Sequence, residues 1–245
     1  MTALKERISL TSFDLKLIAI ITMTIDHIGA GLFPYASLGG VVYLRVIGRL
    51  AFPIFCFLIV EGFFHTRDIK KYMFRLMIFA LLSEVPFDML FNPTGDVWAM
   101  QNIFCTLFLG LLAIYLMDLA KEKWGQYTSS TALAQIIVVL VFGTIANLAK
   151  VDYAELGIAY LVIFYLYRGR NLQLFLVLLA INILFGGVNI QIVSVLAVPI
   201  LACYNGKLGP KAKYLFYVYY PLHIAVITGI YVYMNGYLPG TLPRF

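Results

Sequence analysis

Residues 15–34 read LKLIAIITMTIDHIGAGLFP, an apolar run with an aspartate and a histidine, Asp26 and His27, just past its middle. About 20 apolar residues are enough to cross a bilayer as a helix. An aspartate at that depth costs roughly 2.5–3.5 kcal/mol on insertion scales, so it persists where it is paired or lines a cavity. This one stretch therefore predicts both a membrane-spanning helix and a polar site inside it.

The rest of the chain follows the same pattern. It has 245 residues, 62% of them hydrophobic and 12% charged, with a mean hydropathy of +0.90. Soluble domains carry about 25% charged residues. The reading is an all-α, polytopic helical membrane protein, with 1–245 as a single integral membrane domain. A transmembrane barrel would show short alternating segments instead of continuous apolar runs. The net charge of +6 does not point to nucleic acid, because the basic residues sit in short loops between spans. Cys56, Cys105 and Cys203 are odd in number and lie in apolar segments, against a disulfide framework. No cluster has metal-ligand spacing, so no metal is expected. The first span is too long for a signal-peptide core and is expected to be retained.

About nine spans are predicted, near 15–34, 41–62, 72–91, 102–119, 131–149, 154–168, 171–186, 190–204 and 214–235. The sixth to eighth are short. Breaks fall at Pro93-Thr94-Gly95, Gly186-Gly187, Asn205-Gly206 and Gly209-Pro210. Alternate loops are basic: Lys5, Arg7 and Lys16; Arg67, Lys70, Lys71 and Arg75; Lys121 and Lys123; Arg168 and Arg170; Lys207, Lys211 and Lys213. The opposite side has only Lys150 and Arg244. The positive-inside rule then puts the N-terminus in the cytoplasm.

Polar residues inside the spans form the candidate site. Arg45 and Arg49 are four apart in the second span, as are Glu61 and His65 at its end. Glu84 and Asp88 share a face of the third span, with Pro86 expected to break its backbone. His223 lies halfway along the last span. Asp26 and His27 point about 100° apart on a helix, so Asp26 is badly placed to orient its neighbour. The expected pairs are Asp26 with an arginine and His27 with Glu84. Each residue also has a plainer reading. Arg45 and Arg49 are by default counter-ions, Arg67, Lys70 and Lys71 are by default topology signals, and Ser83 and Thr106 are by default helix glue.

At these positions the chain resembles the TraX family, membrane proteins typified by the acetylase of conjugative F-type pilin. The matching blocks are LKLIAIITMTIDHIG at 15–29, IGRLAFPIFCFLIVEGFFHTRDIKKYMFRLMIFALLSEVPFD at 47–88, NIFCTLFLGLL at 102–112 and YLFYVYYPLH at 214–223. The region 130–205 matches only in hydropathy. The resemblance extends to polytopic acyltransferases of the inner (cytoplasmic) membrane, and it implies acetyl transfer from cytoplasmic acetyl-CoA to an amine or hydroxyl on a peptide or glycan. It places the catalytic histidine of the first span at His27. That residue would act as general base or carry the acetyl group itself. Asp26, Arg49 and Glu84 complete the catalytic set, with Arg49 or Arg45 facing the oxyanion. His65, Arg67, Lys70, Lys71 and Arg75 would receive the CoA phosphates. Arg45, Asp88, Tyr220 and His223 would line the acceptor side. A proton- or ion-coupled transporter uses similar buried charges, but the paired broken helices of transporter repeats are not visible. A non-catalytic membrane scaffold is the third reading.

Overall fold

The computed structural model describes residues 9–33, 38–92, 99–186 and 189–239. Lys5, Arg7, Arg244, Gly187 and the turn at Pro93-Thr94-Gly95 lie outside the described residues, as does the Lys213 side chain. The elements are α1 (Ser12–Leu32), α2 (Leu38–Gly48), α3 (Ala51–His65), α4 (Ile69–Phe91), α5 (Ile103–Trp124), α6 (Ser129–Leu148), α7 (Ala154–Leu166), α8 (Asn171–Gly186), a 3₁₀ helix (Ile190–Leu196), α9 (Ala197–Leu201) and α10 (Lys213–Asn235). Among the described residues the fold is all-helical, with two isolated bridges, Leu10 to Tyr204 and Gln101 to Val151.

Local chemistry sets the starts. Thr11 caps α1 in a reciprocal box, its hydroxyl taking the Asp14 amide and its own amide donating to Asp14 Oδ2 at 2.8 Å. Asp68, Asn102 and Thr128 cap α4, α5 and α6 more simply, each side chain accepting one backbone amide, from Lys71, Phe104 and Thr131. The predicted second span is divided at Arg49-Leu50, between α2 and α3. Pro53 explains the break. It has no amide for the Arg49 carbonyl four residues back, and its ring would clash with it, yet it is tolerated in the first turn of α3. Pro86, in contrast, does not break α4, which runs unbroken through it.

Among the described residues five segments are long and apolar enough to cross a membrane: Ser12–Leu32, Val41–His65, Ile103–Trp124, Ser129–Leu148 and Tyr214–Asn235. Large apolar side chains cover their outward faces, with Leu133 and Leu148 59% and 76% exposed. Such surface needs lipid beside it. α4 is as long as these but carries more charge. α7 is only about 20 Å long. The predicted eighth span is shorter as helix than expected. Its 3₁₀ part reaches about 14 Å and α9 about 8 Å.

Six helices close a ring in the order α1, α3, α7, α5, α4, α10 and back to α1. Gly110 and Gly157 allow α5 and α7 to approach, since a Cβ at either would overlap Leu161 or Thr106. Contacts sort into two ends. At one end Leu10 donates its amide to Cys203 O, Ser12 to Lys207 O, and Arg168 pairs with Glu61. At the other, Gln101 N donates to Lys150 O and Asp152 N donates to Gln101 O, and Arg49 reaches Tyr153 and Gln191. Cys56, Cys105 and Cys203 are free.

Candidate functional site

Asp26 is buried on α1 and meets both arginines of the α2 end. Arg45 Nη1 donates to Oδ2 at 2.7 Å; Arg49 Nη2 donates to Oδ1 and Oδ2 at 2.6 and 2.8 Å. Arg49 Nε also donates to Arg45 O, and Nη1 donates to Tyr153 OH and Gln191 Oε1. Its five N–H groups are thus all directed at protein acceptors, leaving none for a ligand. Arg45 is different: its side chain is 31% exposed and only Nη1 is engaged with Asp26. Gly48 makes this cluster possible, because a Cβ there would coincide with the Asp26 side chain.

The neighbouring His27 turns to another helix. Its Nδ1 lies 2.8 Å from His223 Nε2, and the two rings are near-parallel. His223 Nδ1 donates to Tyr219 O at 2.9 Å, while Tyr219 OH lies 2.7 Å from Thr24 Oγ1. Phe91 and Tyr220 set their rings edge-on to His27, with centroids at 5.2 and 6.2 Å. The expected pairing of Asp26 with arginine holds. The expected pairing of His27 with Glu84 does not. Glu84 Oε2 instead takes the Asn102 side-chain amide, which also donates to Ala80 O at 2.8 Å. Glu84 and Asn102 are both on the α4–α5 seam, and the other carboxylate oxygen, Oε1, is buried without a partner. Asp88 sits one turn further on, accepting from Asn92 at 3.3 Å. Ser83 is fully buried and Thr106 donates to Asp152 O at 2.5 Å.

A cavity of about 510 Å³ occupies the ring interior. Tyr220, Met23, Ile103 and Phe104 line part of it, and the basic side chains Lys16, His65, Arg75 and Lys211 line another part. Arg67, Lys70 and Lys71 are not in its lining. His65 donates to Glu61 O at 2.8 Å, and buried Glu61 is forked by Arg168 at 2.5 and 3.2 Å. Arg168 also stacks over Phe64 at 4.5 Å. Arg75 lies over the Tyr72 ring, and its Nε is buried without a hydrogen-bond partner. At the other end of the bundle, burial pushes the Asp152 carboxyl up to about 6, partly offset by the charge of Arg49.

Charge alternation alone assigns Lys16 and Lys211 to topology, yet both line the cavity. Gly48, Tyr219 and Asn102 were missed because only three-dimensional neighbours give them a role.

The profile of one protein family, described as TraX protein, matches residues 12–231. The chain belongs to the TraX family. It is a membrane protein with several apolar helices, as other features of this TraX chain already require. One similar TraX-like protein is the probable fimbrial assembly protein FimC, serogroup H1, of Dichelobacter nodosus. It is 29% identical over 262 aligned residues, covering 95% of this chain and 100% of that protein. Another is the uncharacterized protein RP591 of Rickettsia prowazekii (strain Madrid E), 28% identical over 162 residues, covering 65% of this chain and 58% of that protein. No solved structure matches the chain.

Proposed function

We propose that this TraX-family protein is an acetyltransferase of the inner (cytoplasmic) membrane that moves acetyl from cytoplasmic acetyl-CoA to an amine or hydroxyl. One observation carries the reading. The interior cavity is lined by four basic side chains and by Tyr220, whose ring is 6.2 Å from that of His27. Lys16, His65, Arg75 and Lys211 suit the phosphates of CoA, and the apolar depth suits the pantetheine arm and thioester.

The topology proposed is about nine crossings with the N-terminus in the cytoplasm. The two-ended sorting of contacts supports it. The loops near residues 66, 168 and 205 share one end, and those near 101, 151 and 191 share the other. The former are the basic ones.

In the reaction, His27 takes the proton from the acceptor as its nitrogen or oxygen attacks the thioester carbonyl. The tetrahedral intermediate then breaks its C–S bond, and the CoA thiolate leaves and takes the proton held by His27, which returns to its neutral form. Arg45, with donors to spare, is the cation available to the oxyanion. Arg49 holds Asp26 and the surrounding helix ends. The acceptor enters from the end carrying Asp26 and Arg45. The fimbrial name of the Dichelobacter relative favours a peptide amino terminus over a glycan hydroxyl.

Membranes containing the protein, given isotopically labelled acetyl-CoA, should yield a labelled acceptor detectable by mass spectrometry, and His27→Ala should abolish the label while folding normally. Full transfer by folded His27→Ala would overturn the mechanism. Uptake of a solute into proteoliposomes with no response to acetyl-CoA would instead favour the transporter.

A further inference from the structure

The tautomer of His27 can be read from its partners, starting at an atom with no choice. Tyr219 O is a carbonyl and can only accept. His223 Nδ1, 2.9 Å away, therefore carries a hydrogen. A neutral imidazole has one N–H, so His223 Nε2 presents a lone pair. That nitrogen lies 2.8 Å from His27 Nδ1, and the hydrogen between them must come from His27. Asp26, the adjacent acid, is already held by two cations, Arg45 and Arg49, and among the described residues no other carboxylate touches either ring; a further positive charge on the dyad would have no counter-ion inside the bundle, so both rings are neutral.

We infer that His223 is a positioning residue that fixes His27 in its Nδ1–H tautomer, with Nε2 bare and ready to take a proton. The inference deepens the acetyl-transfer reading and rests on it for its kinetic arm only.

The second partner in the arrangement is Tyr219. The Thr24 hydroxyl gives its hydrogen to Ile20 O at 2.7 Å, so it accepts from Tyr219 OH. This bond ties α10 to α1 one turn before His27. The Tyr219 ring stacks on His223, centroids 5.1 Å apart and planes at 11°. The His223 ring is thus fixed by a backbone acceptor on one nitrogen and by a stacked ring on its face. Catalytic histidines are often oriented by a carboxylate; here a second histidine backed by a carbonyl takes that place. A reversed tautomer would put the hydrogen on His27 Nε2, and that nitrogen could not then act as base.

The test has a spectroscopic and a kinetic arm. In nanodisc-embedded protein with ¹⁵N-labelled histidine, His27 Nδ1 should appear protonated and Nε2 unprotonated. His223→Gln keeps an acceptor near the position of Nε2 and should preserve that state. His223→Leu should mix or reverse it. In acetyl transfer, His223→Gln should stay close to the parent. His223→Leu should lose about a hundredfold or more in kcat, the kind of loss a wrong tautomer causes, with the donor KM unchanged. A parent protein whose His27 is protonated at Nε2 overturns the inference, as does a folded His223→Leu variant of normal kcat. If the parent transfers no acetyl at all, the acetyltransferase reading fails while the labelled spectra still decide the tautomer.

Discussion

Arg49 holds both carboxylate oxygens of Asp26 through one nitrogen, Nη2, at 2.6 and 2.8 Å. The pair is buried and links the end of α2 to α1. Removing one member of such a pair leaves an uncompensated charge and costs about 3–5 kcal/mol. Asp26→Asn should therefore lower unfolding stability in detergent by that order. Arg45→Ala should cost distinctly less, because Arg49 remains on the carboxylate and Arg45 is partly exposed.

Gly48 should tolerate no side chain. A Cβ there overlaps Asp26, so Gly48→Ala should destabilise by about 1–3 kcal/mol through forced displacement of the ion cluster. Gly229, within α10, has nothing within 4 Å of its would-be Cβ. Gly229→Ala should be neutral or stabilising by about 0.5–1 kcal/mol, the usual gain of alanine over glycine in a helix. Parallel thermal melts of the two variants give the comparison.

Asn102 is fully buried and has three partners: Ala80 O, Glu84 Oε2 and, through Oδ1, the amide of Phe104. Asn102→Ala should cost about 1–3 kcal/mol from stranded polar groups alone. The share of that cost carried by the Glu84 contact should vanish in a Glu84→Leu background while the Ala80 and Phe104 bonds keep the rest, so a double-mutant cycle in unfolding would show partial coupling. Additive effects would mean that the two side chains act separately.

Asp152 predicts a pH dependence of defined sign. Burial raises its carboxyl from the ordinary 3.8 to about 6, so between those values the folded state binds more proton than the unfolded state. Stability from this group should fall as pH rises from about 4 to about 6 and level off above, a loss of about 3 kcal/mol by linkage. Asp152→Asn should remove this slope and raise stability at pH 7 relative to the parent. A slope unchanged in the variant would assign it to another group.

The basic residues should divide by their position relative to the cavity. Arg75→Ala should raise the KM for acetyl-CoA about tenfold or more, in line with a lost charge-assisted phosphate contact. Lys70→Ala with Lys71→Ala should leave it unchanged, because neither side chain lines the cavity. Initial-rate measurements at varied donor concentration would separate them.

The ion cluster was legible in the sequence and its partners only in part. Two positive charges four residues apart and one deeply placed aspartate leave few ways to balance charge, so Asp26 with Arg45 and Arg49 could be expected. His27 could not be matched in this way. Its partner is 196 residues distant in sequence, on α10, and neutral rings leave no charge to balance. Glu84 invited a histidine because both were ionisable; a neutral amide, Asn102, met it instead. Among the described residues hydropathy located the helical segments, but not which are long enough to span nor their internal form. The Pro53 break and the 3₁₀ turns of 190–196 depend on backbone bonding, which average apolarity does not register.

The histidine dyad joins α1 to α10, and that has a consequence for biosynthesis. A ribosome makes α1 first and α10 last among the described helices, so His27 lacks its partner while nearly all the intervening chain is being inserted. During that interval α1 carries the His27 ring without its partner and the Asp26 carboxylate into the translocon, and only Asp26 finds its counter-ions early, Arg45 on α2 and Arg49 just past its end. A chain stopped before α10 could still build the ion cluster and most of the bundle, yet it would have no wall on the His223 side and no ordered base. On the proposed mechanism, transfer therefore starts only when α10 docks, and a nascent chain moves no acetyl before then.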